Sequence, residues 1–246
     1  MICKGCGTPL NDDYLFCPTC GETAHAHRLD IKHVIHEFIH AFVHADKGIF
    51  LLIRSLATEP GKAAAEYCAG NRKKYFNPVS FLLLAGGFTF FLRLKLGFTG
   101  ALGSKKMASA VGVFLHEFTT PVIVLSIPLI SLFSWLFFKS SGKNFAENMV
   151  MNMYMQGEYH LFTIVLTVLP AWLLPHYGLL FTFMGFLVMG IYYYFTALYF
   201  FKETRRATFL KVIGIELLFV ISFGLIMGIS LIIFLIQSGV HVKDLQ

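Results

Sequence analysis

The N-terminal residues contain two cysteine pairs, each with the spacing Cys-x-x-Cys-Gly. Cys3 and Cys6 form the first pair, Cys17 and Cys20 form the second, and ten residues separate the pairs. Four thiolates at this spacing can surround one Zn²⁺ ion as a tetrahedron. A unit this small has no hydrophobic core and needs a metal ion to fold. We predict one structural zinc ion in a small β zinc ribbon over residues 1–24, with disulfides or unconnected thiols as the alternatives.

A second candidate site follows in the pattern His36-Glu37-x-x-His40. Histidines at positions i and i+4 share a helix face and can bind Zn²⁺, while the glutamate between them activates a bound water, as in zinc peptidases. Glu37 is then the candidate catalytic residue. His44 and Glu59 are candidate third ligands, and both follow the pattern along the chain.

The same histidines also fit an interpretation without catalysis. His33, His36, His40 and His44 share one face of a helix whose opposite face is apolar, which is typical of a helix lying in a membrane interface. The polar face then has no ligand, binds a metal without catalysis, or gains charge as the pH falls. The apolar face consists of Ile31, Val34, Ile35, Phe38, Ala41 and Phe42.

The composition is that of an integral membrane protein, with 56% hydrophobic residues, 27 phenylalanines and only 14% charged residues. Residues 161–201 contain no Asp, Glu, Lys or Arg, and this stretch exceeds the roughly 20 residues that one span needs. Pro175 to Gly178 supplies a break within it. We predict a mainly α, polytopic protein whose membrane domain covers residues 77–246. Its five expected spans are 78–98, 120–138, 159–175, 178–201 and 212–237.

The distribution of positive charge predicts the orientation in the membrane. With the N-terminus inside, the inner segments 1–77, 139–158 and 202–211 hold 15 of the 20 Lys and Arg residues. This is the positive-inside pattern, and thiolate ligands also suit a reducing compartment. We predict a membrane protein with a cytoplasmic N-terminus, an external C-terminus and no signal peptide. Membrane orientation explains the net charge of +6 without a nucleic-acid partner.

Residues 25–76 are expected to form amphipathic juxtamembrane helices. Asp46 is a suitable N-cap for a helix that runs to about Thr58, and Pro60 starts another helix that ends at Gly70. Three cations follow where the chain enters the bilayer and are expected to bind anionic lipid headgroups: Arg72, Lys73 and Lys74.

Ionisable residues near bilayer depth are candidate transport groups. Glu158 and His160 border the third expected span, and Glu216 lies in the fifth. We expect Glu216 to reach the interface and pair with Arg206 or Lys211.

Several short motifs resemble those of an uncharacterised family of bacterial inner-membrane proteins that pair an N-terminal zinc ribbon with a multi-span domain. The resemblance runs from the ribbon through the first span and, more loosely, to Glu147. It implies a membrane location and a ribbon, but no activity. The motifs are Asp46-Lys47-Gly48-Ile49-Phe50, Leu56, Pro60-Gly61, Glu66-Tyr67, Gly70, Arg72-Lys73-Lys74-Tyr75, Asn77-Pro78 and Asn144-Phe145-Ala146-Glu147.

Taken together, these features favour a non-enzymatic docking, scaffold or assembly component of the membrane. The ribbon would present a rigid surface to a protein partner. A transporter or transport component is the first alternative. A membrane zinc peptidase that uses His36, Glu37 and His40 is the second.

Overall fold

A computed structural model describes residues 1–3, 5–11, 13–21, 49–96 and 125–238, together with the single residues 24, 31, 114 and 122. This part of the chain is mainly helical. In the N-terminal region, Ile2 and Pro9 form an isolated antiparallel bridge, and the described residues there contain no longer strand.

Eight α-helices account for most of the described residues. A π-helical stretch at Ile164–Val168 joins α5 to α6, and short 3₁₀ turns lie at Lys139–Ser141 and Pro175–Tyr177. The helices are α1 (Ile49–Thr58), α2 (Lys62–Cys68), α3 (Pro78–Leu96), α4 (Ile127–Phe137), α5 (Phe145–Thr163), α6 (Leu169–Leu173), α7 (Gly178–Phe201) and α8 (Arg205–Ser238).

Three of these helices are long and apolar enough to cross a membrane: α3, α7 and the first 30 residues of α8, Arg205–Phe234. They overlap the expected spans 78–98, 178–201 and 212–237. Helices α1 and α4 are apolar but shorter. The expected span 159–175 falls in the continuous helical run from α5 to α6, which begins at Phe145. The described helices therefore indicate a membrane protein.

Helix α5 occupies the centre of the bundle and is buried almost throughout its length. Its N-terminus carries a capping box, in which the Asn144 side chain accepts from the Glu147 N–H and the Glu147 carboxylate accepts from the Asn144 N–H, both at 2.8 Å. Two backbone donors that the helix itself leaves without partners are thereby satisfied. The Asn-x-x-Glu motif therefore fixes the point where the central helix begins.

Tyr154 connects α5 to two of its neighbours. Its hydroxyl donates to the Phe76 carbonyl at 2.7 Å, just before α3 begins. Its ring packs edge-on against Tyr67 of α2, with centroids 5.8 Å apart, and against Phe81 of α3. The entry of the chain into α3 is fixed as well, because the Asn77 side chain accepts from the backbone N–H groups of residues 79 and 80.

The π-helical stretch between α5 and α6 lies next to a proline. Pro170 has no backbone N–H, and its ring conflicts with the carbonyl one turn earlier in a regular α-helix. The wider turn at Ile164–Val168 accommodates this conflict, so the helical run continues to Leu173.

The corner between α1 and α2 packs directly against α7. Gly61 has a left-handed φ of 84°, and a Cβ atom there would lie 2.6 Å from the Thr196 carbonyl oxygen and 3.2 Å from Tyr199 Cβ. The Tyr192 hydroxyl donates to the Leu56 carbonyl at 3.2 Å at the same junction. The Pro60-Gly61 motif therefore serves a close approach between helices as well as a turn.

Charged and aromatic groups join the end of α7 to the start of α8. Lys211 pairs with Glu203, with 2.7 Å between Nζ and Oε2, and the Ser140 hydroxyl donates to the same carboxylate at 2.7 Å. The rings of Phe138 and Phe201 stack at 3.9 Å. Of the two partners expected for Glu216, Arg206 and Lys211, the second is therefore wrong, because Glu203, just before α8, takes the Lys211 ammonium group.

Candidate functional site

The four predicted cysteine ligands converge at one point. The sulfur atoms of Cys3, Cys6, Cys17 and Cys20 all lie within 4.8 Å of one another. Two of the distances, Cys3 to Cys20 and Cys6 to Cys17, are 3.6 Å. A tetrahedral Zn²⁺ site with Zn–S bonds of about 2.3 Å has sulfur–sulfur edges of about 3.8 Å. The four thiols could therefore hold a metal ion, and all five cysteines of the chain, each in the described part, are free of disulfides.

The backbone around each cysteine pair forms a tight turn. The Gly7 N–H donates to the Cys3 carbonyl at 3.0 Å, and the Gly21 N–H donates to the Cys17 carbonyl at 2.7 Å. Both glycines have a left-handed φ, 77° and 69°. Glycine adopts this conformation without a steric penalty, so the residue after each second cysteine can close the turn.

The surroundings of two thiols favour the thiolate form that binds metals. A hydrogen bond from the backbone N–H of Cys20 lowers the pKa of the Cys17 thiol to about 6, although burial acts in the opposite direction. The Thr8 side chain, 3.0 Å from the Cys6 sulfur, lowers the pKa of that thiol. Thiolates are the ligand form of cysteine, so the donor set suits a soft divalent cation such as Zn²⁺.

Large apolar side chains lie on the surface of the N-terminal cysteine region. Cys3, Leu10 and Cys17 are buried together, whereas Ile2, Leu15 and Phe16 are 72%, 74% and 60% exposed. A unit with so few residues cannot cover all its apolar side chains. Leu15 and Phe16 immediately precede a metal-ligand candidate, so their position depends on the cysteine cluster.

Gly21, at the end of the second cysteine pair, lies against the basic segment before α3. A Cβ atom on Gly21 would be 2.7 Å from Lys73 Nζ, which places this ammonium group beside the second cysteine pair. Lys74 instead pairs with Glu66, with 2.6 Å between Nζ and Oε2, and Tyr75 donates to the same carboxylate oxygen at 2.9 Å. Lys73 and Lys74, which were predicted to bind lipid headgroups, therefore have protein groups beside them.

The second predicted metal site falls largely outside the described residues. His33, His36, Glu37, His40 and His44 all lie there, so their arrangement remains a prediction from the sequence. Glu59 is described: it is exposed, and its Oε2 atom lies 2.6 Å from Lys62 Nζ in an ion pair.

A network of buried polar side chains, which sequence patterns did not identify, joins α4 to α5. The Ser134 hydroxyl donates to Asn148 Oδ1 at 2.8 Å, and Asn152 Nδ2 donates to the Ser134 oxygen at 3.1 Å. The three side chains are almost fully buried. The one sequence feature that could have indicated this network is the four-residue spacing of Asn148 and Asn152, which places both side chains on one helix face.

Glu158 and His160 are buried deep in the bundle, each only 2% exposed. Glu158 Oε2 and His160 Nε2 lack a hydrogen-bond partner among the described residues. A buried polar atom without a partner is costly, so such atoms often mark a functional site. The sequence located both residues at a span boundary but did not indicate their burial.

Glu216 lies in a groove of about 910 Å³ between α7 and α8. The groove is mainly apolar and aromatic, with walls that include Phe186, Tyr194 and Phe209. Glu216 is half-buried there. A carboxylate in such a position is a candidate for proton or cation binding rather than a structural anchor.

Comparisons with known proteins find a match for only one segment of the chain. Residues 46–90 match the model of a family described as a protein of unknown function (DUF3667). The match covers α1, α2, the Pro60-Gly61 corner, the basic segment and most of α3. No curated protein and no solved structure matches the chain. The similarity is therefore to an uncharacterised family, over the segment that joins the ribbon to the first candidate span.

Proposed function

We propose that this protein is a non-enzymatic docking component of a bacterial inner membrane, with a ribbon built around one structural Zn²⁺ ion. Cys3, Cys6, Cys17 and Cys20 would hold the ion as four thiolates. Zinc with four cysteine ligands has no open coordination position for substrate, which suits a structural role.

The observation that carries this proposal is the combination of a closed cysteine cluster with exposed apolar side chains. Ile2, Leu15 and Phe16 lie on the surface of the ribbon, outside the helical bundle. Exposed aromatic and aliphatic side chains on a rigid support are typical of surfaces that bind proteins. Metal ligation would fix these side chains in place and so lower the entropic cost of binding a partner.

The membrane part would serve as the anchor. We propose five spans, of which α3, α7 and α8 are the helices long enough in the described part. The excess of Lys and Arg in the segments on the ribbon's side favours a cytoplasmic N-terminus. The partner would then be a cytosolic protein or a cytosolic domain of another membrane protein. Arg72, Lys73 and Lys74 would contribute to the attraction of anionic headgroups nearby.

Site-specific photo-cross-linking in intact membranes tests this proposal. A photoreactive residue replaces Phe16 in one variant and Phe50, an even more exposed apolar residue of α1, in the control. We expect a discrete protein adduct from position 16, and we expect Cys3→Ser/Cys17→Ser to abolish it. Lipid adducts alone at position 16, or a protein adduct that survives the loss of both cysteines, would contradict a metal-dependent docking surface.

The buried pair of groups in α5 favours transport as a second candidate function. Glu158 and His160 would bind the transported proton or cation at the level of the bundle core. Uptake assays in proteoliposomes with Glu158→Gln and His160→Gln test this role, and Gln156→Ala is a control on the same helix. Loss of uptake in the first two variants alone is the expected result for a transporter. Equal activity of all three would exclude a role for this pair.

The zinc-peptidase alternative rests on the sequence pattern His36-Glu37-x-x-His40. It requires a second metal ion that His36→Ala/His40→Ala removes. Its candidate third ligand Glu59 already pairs with Lys62, which gives this alternative no support.

A further inference from the structure

A groove of about 590 Å³ lies where the α1–α2 corner meets the end of α7. It is lined by Glu59, Pro60, Phe195, Leu198, Tyr199 and Lys202. The charged residues come from two different segments, and α7 contributes Phe195, Leu198 and Tyr199 to the lining. The groove therefore has an apolar body with a carboxylate and an ammonium group in its wall.

The groove lies at the level where a lipid headgroup meets its acyl chains. Helix α7 is a candidate span that ends at Phe201, so Lys202 is the first residue beyond it. Tyr199, 46% exposed, precedes it by one turn. Tyrosine and lysine near the end of a span are typical of the membrane–water interface. An apolar groove at this level lies open to lipid.

The backbone at Lys202 supports a role for its side chain. Its φ is 56°, and it is the one residue other than glycine with a positive φ in the described part of the chain. Glycine or asparagine commonly fills this position after a helix, because other L-residues meet a steric penalty there. The chain has a lysine at this position, exposed at the mouth of the groove. Strain of this kind often occurs at binding sites.

Glu59 retains the capacity to bind a second cation. Lys62 occupies one of its carboxylate oxygens, Oε2, at 2.6 Å. A carboxylate has two oxygens and about four acceptor positions, so the other oxygen can accept from a ligand. The side chain is 52% exposed, which leaves room for an approach from the groove.

We propose that this groove binds a phospholipid with a phosphoethanolamine headgroup. Lys202 would bind the phosphate, Glu59 would accept hydrogen bonds from the primary ammonium, and an acyl chain would lie against Phe195 and Leu198. The opposite charges of the groove complement the opposite charges of this headgroup. A choline headgroup has no N–H to donate to Glu59, and a phosphoglycerol headgroup has no cation. The proposal concerns lipid binding alone and is independent of the docking function of the ribbon.

Native mass spectrometry of the full chain tests the proposal. The detergent-purified protein is mixed with equal amounts of dioleoyl phosphatidylethanolamine, phosphatidylcholine and phosphatidylglycerol, and the retained lipids are counted. We expect a preference of about tenfold for phosphatidylethanolamine over phosphatidylcholine, the effect of one charge-assisted hydrogen bond. Glu59→Gln should remove this preference. Lys202→Asn, which tolerates the left-handed backbone, should weaken the binding of all three lipids.

Lys139→Met is the matched control, because Lys139 is exposed and lies outside the groove, next to Ser140, whose hydroxyl donates to Glu203 beside Lys202. It should leave the preference unchanged. Lys62→Met, which releases the second carboxylate oxygen of Glu59, should increase it. Equal retention of the three lipids, stronger retention of phosphatidylglycerol, or a preference that survives Glu59→Gln would each overturn the proposal. Because Glu59 is exposed, its variant tests the headgroup contact without disturbing the fold.

Discussion

The contact between the α1–α2 corner and α7 predicts a large difference between two glycine substitutions. Gly61 and Gly142 have similar left-handed backbones, with φ of 84° and 71°. A Cβ atom on Gly61 would lie 2.6 Å from the Thr196 carbonyl oxygen, whereas a Cβ atom on Gly142 would have nothing within 4 Å. Replacing each glycine by alanine therefore separates the cost of the close approach from the cost of the backbone conformation.

The expected difference in stability follows from the one energy term that the two variants do not share. Alanine in a left-handed conformation destabilises the folded state by about 1–2 kcal/mol. Alanine also has fewer conformations than glycine in the unfolded chain, which offsets about 0.4–1 kcal/mol of that cost. Both terms apply equally to Gly61→Ala and Gly142→Ala. Only Gly61→Ala adds overpacking against a backbone atom, which costs about 1–3 kcal/mol. We therefore expect Gly61→Ala to lower the free energy of unfolding by about 1–3 kcal/mol more than Gly142→Ala.

Reversible unfolding in mixed detergent micelles measures this difference. Fluorescence and helical circular dichroism are followed for wild type and both variants under the same conditions. The predicted difference between the two variants requires that α7 holds the Thr196 carbonyl in place. A difference smaller than about 1 kcal/mol would mean that the α1–α2 corner moves away from α7. Equal losses of stability in the two variants would refute the close packing of the corner against α7.

Three further predictions concern the ribbon and the basic segment. Chelation of the metal should expose the chain near Phe16 to chymotrypsin while the helical circular dichroism stays unchanged, because the four cysteines lie outside the helices. Protection that persists in chelator would contradict this. Lys73→Met should weaken the affinity for Zn²⁺ by about two- to fivefold, which corresponds to about 0.5–1 kcal/mol from one exposed charge beside the thiolates. Lys74→Met should weaken this affinity less. A competitive titration with a chelator measures both affinities. Burial tends to raise the pKa of the Glu66 carboxyl, but hydrogen bonds from Lys74 and Tyr75 outweigh burial, so the pKa is lowered. The stabilisation from this pairing is therefore present above the ordinary carboxyl pKa and is lost as the pH falls through the lowered value. Glu66→Gln should therefore destabilise by about 0.5–1 kcal/mol at pH 7 and converge with wild type in acid, and a pH-independent difference would argue against the ion pair.

The convergence of the four cysteines was predictable because they lie close together in sequence. Cys3 and Cys6 are held by one turn, and Cys17 and Cys20 by another, so local spacing already determines most of the geometry. The same holds for the Asn144–Glu147 capping box and the Asn77 cap, whose partners lie within three residues. Local hydrogen bonds of this kind can be deduced from a sequence directly.

Contacts between distant segments were not predictable in the same way. The hydrogen bond between Ser134 and Asn148, and the pairing of Lys211 with Glu203, depend on which helices are neighbours in the bundle. A run of apolar residues predicts a helix but not the face it turns toward another helix. For this reason the burial of Glu158 and the groove between Glu59 and Lys202 became visible only in the fold.

The central claim is that four cysteines hold one zinc ion in the ribbon, and metal analysis of the purified full chain tests it most directly. Zinc per chain is measured for wild type, Cys3→Ser/Cys6→Ser, Cys68→Ser and His36→Ala/His40→Ala. We predict one zinc ion in wild type, in Cys68→Ser and in the histidine variant, and none in the variant of Cys3 and Cys6. Zinc that survives the loss of both cysteines, or a wild-type protein purified without zinc that does not take it up, would contradict the account.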